Sequence, residues 1–231
     1  MRKSILLVAL LVAATSFCSA QQKTDEGKKS WANYERYASE NKDKDAPVAV
    51  FMGNSITQGW ASIRPEFFSK NNFLGRGISG QVTAQMLARF RQDVLNLHPK
   101  AVVIMAGTND IAMNQQYVPV EHIAGNIFSM IELAQAHGIK VLLLPCLPVL
   151  KYGWRPEVTD AVQQIATLNA YLESYAKING VTYLDLYTIM KDKNGGLPKK
   201  YSDDGVHPTS EGYAVIEPLV IESLKAMGVI K

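Results

Sequence analysis

The chain has 231 residues, 47% of them apolar and 19% charged, which is enough for one sizeable core and too ordered a composition for a disordered segment. Lys and Arg number 24 against 21 Asp and Glu. A balance this close supplies no field for nucleic acid or for an anionic membrane surface.

The first twenty residues differ from the rest. Arg2 and Lys3 open the chain, an apolar run follows to Ala14, and Cys18-Ser19-Ala20 offers small residues before Gln21. That is the layout of a secretory signal peptide cut after Ala20, and the run is too short to span a bilayer well. A rival reading makes it a retained anchor, or makes Cys18 a lipid-carrying cysteine. Thr15-Ser16-Phe17 are polar or bulky where that reading expects small residues. The expectation is therefore an exported protein, secreted or periplasmic, without stable membrane insertion after cleavage. One cysteine, Cys146, survives; it cannot form an internal disulfide and reads as a buried, inert thiol.

Residues 21–46 read as a polar tether followed by a short helix over 31–41, and the domain proper as 47–231. Val48 to Met52 is a short apolar run ending at Gly53, which predicts a buried parallel strand. Similar strands are predicted at 101–106, 140–144 and 181–186, with a short edge strand at 72–74. Helical spacing appears over 82–97, 120–137, 156–178 and 209–227, with Gly138 and Asn179-Gly180 as stops. Strands alternating with helices predict a parallel sheet covered on both faces, with ligands beyond the carboxyl ends of the strands. No fixed-period repeat or low-complexity segment is present.

The loops after the strands carry the chemistry. Gly53-Asn54-Ser55 puts a serine at the mouth of the sheet, where its hydroxyl is exposed beside turn N–H groups. A helix cap is the competing role for Ser55. Gly107-Thr108-Asn109-Asp110 brings an amide donor, Asn109, suited to a developing oxyanion. Asp204-Gly205-Val206-His207-Pro208 folds a carboxylate back toward an imidazole three residues on. Asp204 can hold the His207 tautomer and leave the other ring nitrogen to take a serine proton. Each block alone also reads as a cap or turn; together they fall at one edge of one sheet.

The blocks Gly53-Asn54-Ser55-Ile56, Gly77-Ile78-Ser79-Gly80, Gly107-Thr108-Asn109-Asp110 and Asp204 to Pro208 occur in the order found in the SGNH hydrolases, or GDSL esterases, and the chain resembles that family over roughly residues 47 to 228. The resemblance implies a three-layer α/β/α sandwich of flavodoxin-like type. It implies Ser55 as nucleophile, His207 as base and Asp204 as its orienting partner. It also implies an oxyanion hole from the N–H groups of Ser55 and Gly80 and the Asn109 side chain, with no metal or organic cofactor. Asn54 stands where the family name expects Asp, which leaves the triad intact and questions only how that loop is oriented.

Other signals lead elsewhere. Gly75 to Gly80 matches G-x-G-x-x-G but follows the second strand and lacks the acidic partner of a dinucleotide site. Gln81 disqualifies the Ser79 stretch as a G-x-S-x-G elbow. His98, His122 and His137 show no metal-ligand spacing. Asp110, Asp185 and Asp203 read as structural. Without a large inserted lid, the expected substrate is a short-chain ester, acetyl foremost, on a carbohydrate. Trp60 and Trp154 are candidate sugar platforms, with ordinary packing as the competing role. A lysophospholipase or thioesterase and a non-catalytic glycan-binding module are the alternatives; the oligomeric state is left open.

Overall fold

The computed structural model describes residues 30–44 and 46–231. The expected leader over 1–20 and the tether up to residue 29 lie outside the described residues. A 3-10 turn (Tyr34–Arg36) and α1 (Ala38–Lys42) precede the sheet. Then follow β1 (Ala49–Gly53), α2 (Ser55–Ile63), α3 (Pro65–Lys70), β2 (Phe73–Gly77), α4 (Thr83–Asp93) and a 3-10 turn (Leu95–Leu97). The chain continues through β3 (Ala101–Met105), α5 (Thr108–Ile111), α6 (Val120–Ala136), β4 (Lys140–Leu144) and α7 (Ala161–Asn179). It ends with β5 (Thr182–Tyr183), α8 (Leu186–Met190) and α9 (Ser210–Ala226).

All strands pair in parallel, in the order β2-β1-β3-β4-β5. Their side chains alternate between two cores, as the two-residue period of a strand requires. Val50, Met52, Val102, Ile104, Val141 and Leu143 face one core, closed by α4, α6 and α7. Ala49, Phe51, Val103, Met105, Leu142 and Leu144 face the other, closed by α2, α3, α8 and α9. This is the three-layer α/β/α sandwich with a central parallel sheet. Among the described residues no helix is long and apolar enough to cross a membrane.

The order in which strands are added reverses at β1, which has β2 on one side and β3 on the other. The register pairs Gly53 with both Gly77 and Met105, so three strands end in one row. A crevice at such a switch point is where open parallel sheets bind ligands. Gly77 has a steric reason: a Cβ there would lie 2.3 Å from the Gln58 nitrogen and 2.5 Å from the Asn54 oxygen. The absence of that carbon lets the first turn of α2 sit directly on the strand end.

Several expected elements shift. The edge strand expected at 72–74 runs from Phe73 to Gly77. The strand expected over 181–186 is only Thr182–Tyr183. Asp185 ends it by capping α8, its Oδ1 accepting from Thr188 N at 2.9 Å. The helix expected from Pro156 begins at Ala161, so residues 145–160 form the long connection after β4. The helix expected over 82–97 ends at Asp93 and gives way to the second 3-10 turn.

Candidate active site

Ser55 is the first residue of α2, and the cap in front of it is Asn54, whose Oδ1 accepts from Ile56 N at 2.9 Å. Asn54 thus supplies the carbonyl acceptor that a carboxylate would supply there. The capping role weighed for Ser55 belongs to its neighbour, and the serine hydroxyl is left for another partner. That partner is His207, whose Nε2 lies 2.9 Å from Ser55 Oγ.

The imidazole comes from the segment just before α9. Ser202 and Pro208 form an antiparallel bridge, Gly205 turns the chain at φ 79°, and Thr209 caps the helix. Within this turn, His207 Nδ1 lies 2.6 Å from Asp204 Oδ2. Asp204 Oδ1 accepts from Val206 N and His207 N, both at 2.8 Å, and from Ser202 Oγ at 3.1 Å. Burial alone would raise the Asp204 carboxyl; the His207 ring and the two N–H groups outweigh it and hold it down to about 2. It is therefore an anion at neutral pH and fixes the Nδ1–H tautomer, leaving Nε2 with a lone pair toward the serine.

Two ties hold α2 against α9 and so fix the distance between Ser55 and His207. Tyr213 donates its hydroxyl to the Ile56 carbonyl at 2.7 Å. Glu217 accepts from Trp60 Nε1 at 3.1 Å and from Arg64 Nε and Nη2 at 3.0 and 2.8 Å. Trp60 is wholly buried, stacked on Tyr213 with ring centres 5.4 Å apart. Trp60 thus takes the packing role weighed for it and not that of a sugar platform. Trp154 remains on the surface, its ring 6.4 Å from that of His207.

Asn109 and Gly80 meet through one residue. Asn109 is buried and donates through Nδ2 to the Gln81 carbonyl at 2.9 Å, which occupies one of its two amide protons. Gly80 has φ 79°, in a turn closed by Gln81 N on Ile78 O. Among the described residues no acceptor takes the Gly80 N–H or the Ser55 N–H.

Gln81 is the residue that sequence reasoning passed over. Its side chain donates to the Ala32 carbonyl at 2.7 Å and accepts from Arg89 Nε at 2.6 Å. Arg89 is fully buried and also donates to the Gly53 carbonyl at 3.0 Å and to Asp93 at 2.9 Å. One guanidinium therefore joins the end of β1, the turn after β2 and, through Gln81, Asn109. The only sequence signal was an arginine four residues before an aspartate on the buried face of a helix. Asp110 is structural, as expected: both its oxygens accept from Thr83 N, and Oδ1 from Thr83 Oγ1 at 2.7 Å. Burial pushes its carboxyl up to about 6 against the pull of those bonds. Burial likewise pushes the Cys146 thiol up to about 12, so it is not a nucleophile near neutral pH. His137 bonds its own helix at Leu133 O. Among the described residues no group of three His, Cys, Asp or Glu is placed to hold a metal ion.

A serine, an imidazole and a carboxylate in one hydrogen-bonded line at the switch point of a three-layer α/β/α sandwich are the parts a serine-dependent hydrolase uses. The comparisons narrow it. The model of the GDSL-like lipase/acylhydrolase family matches residues 51–215, and the chain belongs to that family. A solved structure from Bacteroides fragilis NCTC 9343, assigned as an acylhydrolase, is 48% identical, with a TM-score of 0.84, covering 87% of this chain and 99% of that one. The human platelet-activating factor acetylhydrolase IB subunit alpha2 is 30% identical over 198 residues, 83% of this chain and 82% of that protein. The lipoprotein YqeF of Bacillus subtilis (strain 168) is 36% identical over 98 residues, 41% of this chain and only 40% of that protein's length. The protein is an ester-hydrolysing enzyme.

Proposed function

We propose that this enzyme removes short acyl groups, acetyl foremost, from hydroxyls of carbohydrates, with Ser55 as nucleophile. The observation that carries the reading is the line Asp204–His207–Ser55, with contacts of 2.6 and 2.9 Å. His207 Nε2 takes the hydroxyl proton as Ser55 Oγ attacks the ester carbonyl. The N–H groups of Ser55 and Gly80, together with the second amide proton of Asn109, receive the oxyanion. Collapse expels the alcohol, which leaves with the proton from His207. Water then attacks the acyl-enzyme through the same base, releasing the acid and restoring the serine.

The short acyl group is supported by the lengths of the connections. One residue separates β1 from α2, and two separate β3 from α5. The long connections are 145–160 and 191–209, the second carrying Asp204 and His207, and among the described residues no further segment is inserted after β1 or β3 to bury a long chain. Similarity to a protein named an acetylhydrolase points the same way. Export is part of the proposal, supported by the leader-like composition of residues 1–20 and by likeness to a lipoprotein.

Acetate release from a panel of acetylated polysaccharides, with Ser55→Ala as control, tests the reading. A chain-length series of p-nitrophenyl esters that peaks at medium acyl chains would move it to a lysophospholipase or thioesterase. Sequencing the amino terminus of the mature protein tests cleavage after Ala20; a lipid on Cys18 would replace that outcome.

A further inference from the structure

Three aromatic side chains, one of them beside the candidate active site, stand on the surface, where burial would be the ordinary fate of such area. Trp154 is 44% exposed, Tyr117 68% and Trp31 60%. They are connected. The Trp154 ring lies 6.4 Å from that of His207, and its Nε1 donates to Asn114 Oδ1 at 2.9 Å. Asn114 begins a loop that carries Gln115, Gln116 and Tyr117. This loop is held to α5 by Asn114 N on Asn109 O and Met113 N on Asp110 O. Gln115 and Gln116 then line a cavity of about 210 Å³ that Trp31 lines as well. Trp31 is tied to α4, its carbonyl accepting from Gln85 Nε2 at 2.7 Å.

The lining selects a ligand chemistry. Trp31, Val82, Ala84 and Val118 offer apolar surface, and Asn126 and the two glutamines offer amides. Neither Gln115 nor Gln116 uses its side chain in a hydrogen bond among the described residues. No lysine or arginine lines the cavity, and Asp110 does. A phosphate or sulfate would find no counter-charge and a carboxylate beside it. An acyl chain would cover the apolar half of the lining but set its methylenes against the Gln115 and Gln116 amides and the Asp110 carboxylate. A neutral, hydroxyl-bearing ring fits: its C–H face covers an indole and its hydroxyls pair with amide donors and acceptors. The volume is below the roughly 300 Å³ at which pockets for whole small ligands begin, so one ring enters rather than a compact molecule.

We propose that the surface running from Trp154 over the 114–118 loop to the cavity under Trp31 binds the unmodified part of a neutral oligosaccharide chain. The inference rests on the carbohydrate-ester reading for its function but not for its test. The Trp154 end sits beside the acylated sugar at His207. The cavity holds a unit farther along the same chain. The segment before α1 thus becomes part of the substrate surface, although it lies outside the parallel sheet.

The test is binding without turnover. The Ser55→Ala variant of the full chain is titrated calorimetrically with unacetylated xylohexaose, cellohexaose and chitohexaose, and with phosphatidylcholine vesicles. At least one hexasaccharide binds, and adding Trp31→Ala or Gln116→Ala weakens it about fivefold or more, the usual loss for an aromatic anchor or key contact. Gln116 is exposed, so that variant keeps the test valid should Trp31→Ala fold poorly. No hexasaccharide binding, or binding indifferent to both substitutions, overturns the proposal, as does Trp31-dependent binding to the vesicles alone. Acetate release without such binding sinks the track and spares the esterase; binding without ester cleavage by the Ser55-bearing chain does the reverse.

Discussion

The two sides of the candidate active site are built differently. The Asp204–His207 turn is open to solvent, with side chains 52% and 39% exposed, and is held by contacts two or three residues apart. The wall behind Asn109 is buried, with Arg89 and Asp93 at 0% and 1%, and joins residues as far apart as Ala32, Gly53, Gln81 and Asn109. The first side depends on a local turn that forms cheaply. The second depends on the whole fold, because a buried guanidinium is tolerable only with every partner in place. The exposed side should therefore carry chemistry that is separable from stability, and the buried side should not.

Ser55→Ala is the largest expected effect. It should lower kcat about 10⁴- to 10⁶-fold in ester hydrolysis, while urea unfolding stays within about 0.5 kcal/mol of wild type. A comparable loss of stability would break the contrast. Arg89→Leu should destabilise by about 3–5 kcal/mol in the same unfolding assay, because Asp93 and the Gly53 carbonyl lose a buried donor. A stable Arg89→Leu protein would show that the wall does not depend on that guanidinium. Asn109→Ala should raise the barrier to acylation by about 2.7–4 kcal/mol, read as a fall in kcat/KM with substrate binding little changed.

Asp110→Asn should act on pH dependence. Burial holds the folded carboxyl at about 6, above its ordinary 3.8. The stability tied to it is therefore fully present below pH 3.8 and lost as pH rises through about 6. Wild type should lose on the order of 3 kcal/mol across that window relative to Asp110→Asn, measured by denaturant unfolding at several pH values. Equal slopes in the two proteins would remove Asp110 as their source.

The contrast also explains what could be read from the chain. The Asp204–His207 pair was legible because its geometry is set by a three-residue spacing around a glycine. The strands β1, β3 and β4 were legible as short apolar runs, since both faces of each are buried. The helix after Ser55 entered only through the capping role weighed for that serine: Gly59 interrupts its propensity, Arg64-Pro65 breaks it from α3, and packing of Trp60 on Tyr213 supplies the stability that propensity lacks. The hub at Gln81 was invisible for a different reason. Its partners Ala32, Arg89 and Asn109 come from three separate segments, and its identity had served only to disqualify a serine elbow. Trp60 and Trp154 have the same residue type and opposite fates, which only the packing of α9 decides.

The central claim, that His207 activates Ser55, is tested most directly by intact and peptide mass spectrometry after reaction with a fluorophosphonate probe. The account predicts one adduct per chain, on the peptide bearing Ser55, absent in Ser55→Ala and strongly slowed in His207→Ala. Labelling at another residue, or undiminished labelling of the His207→Ala variant, would contradict it.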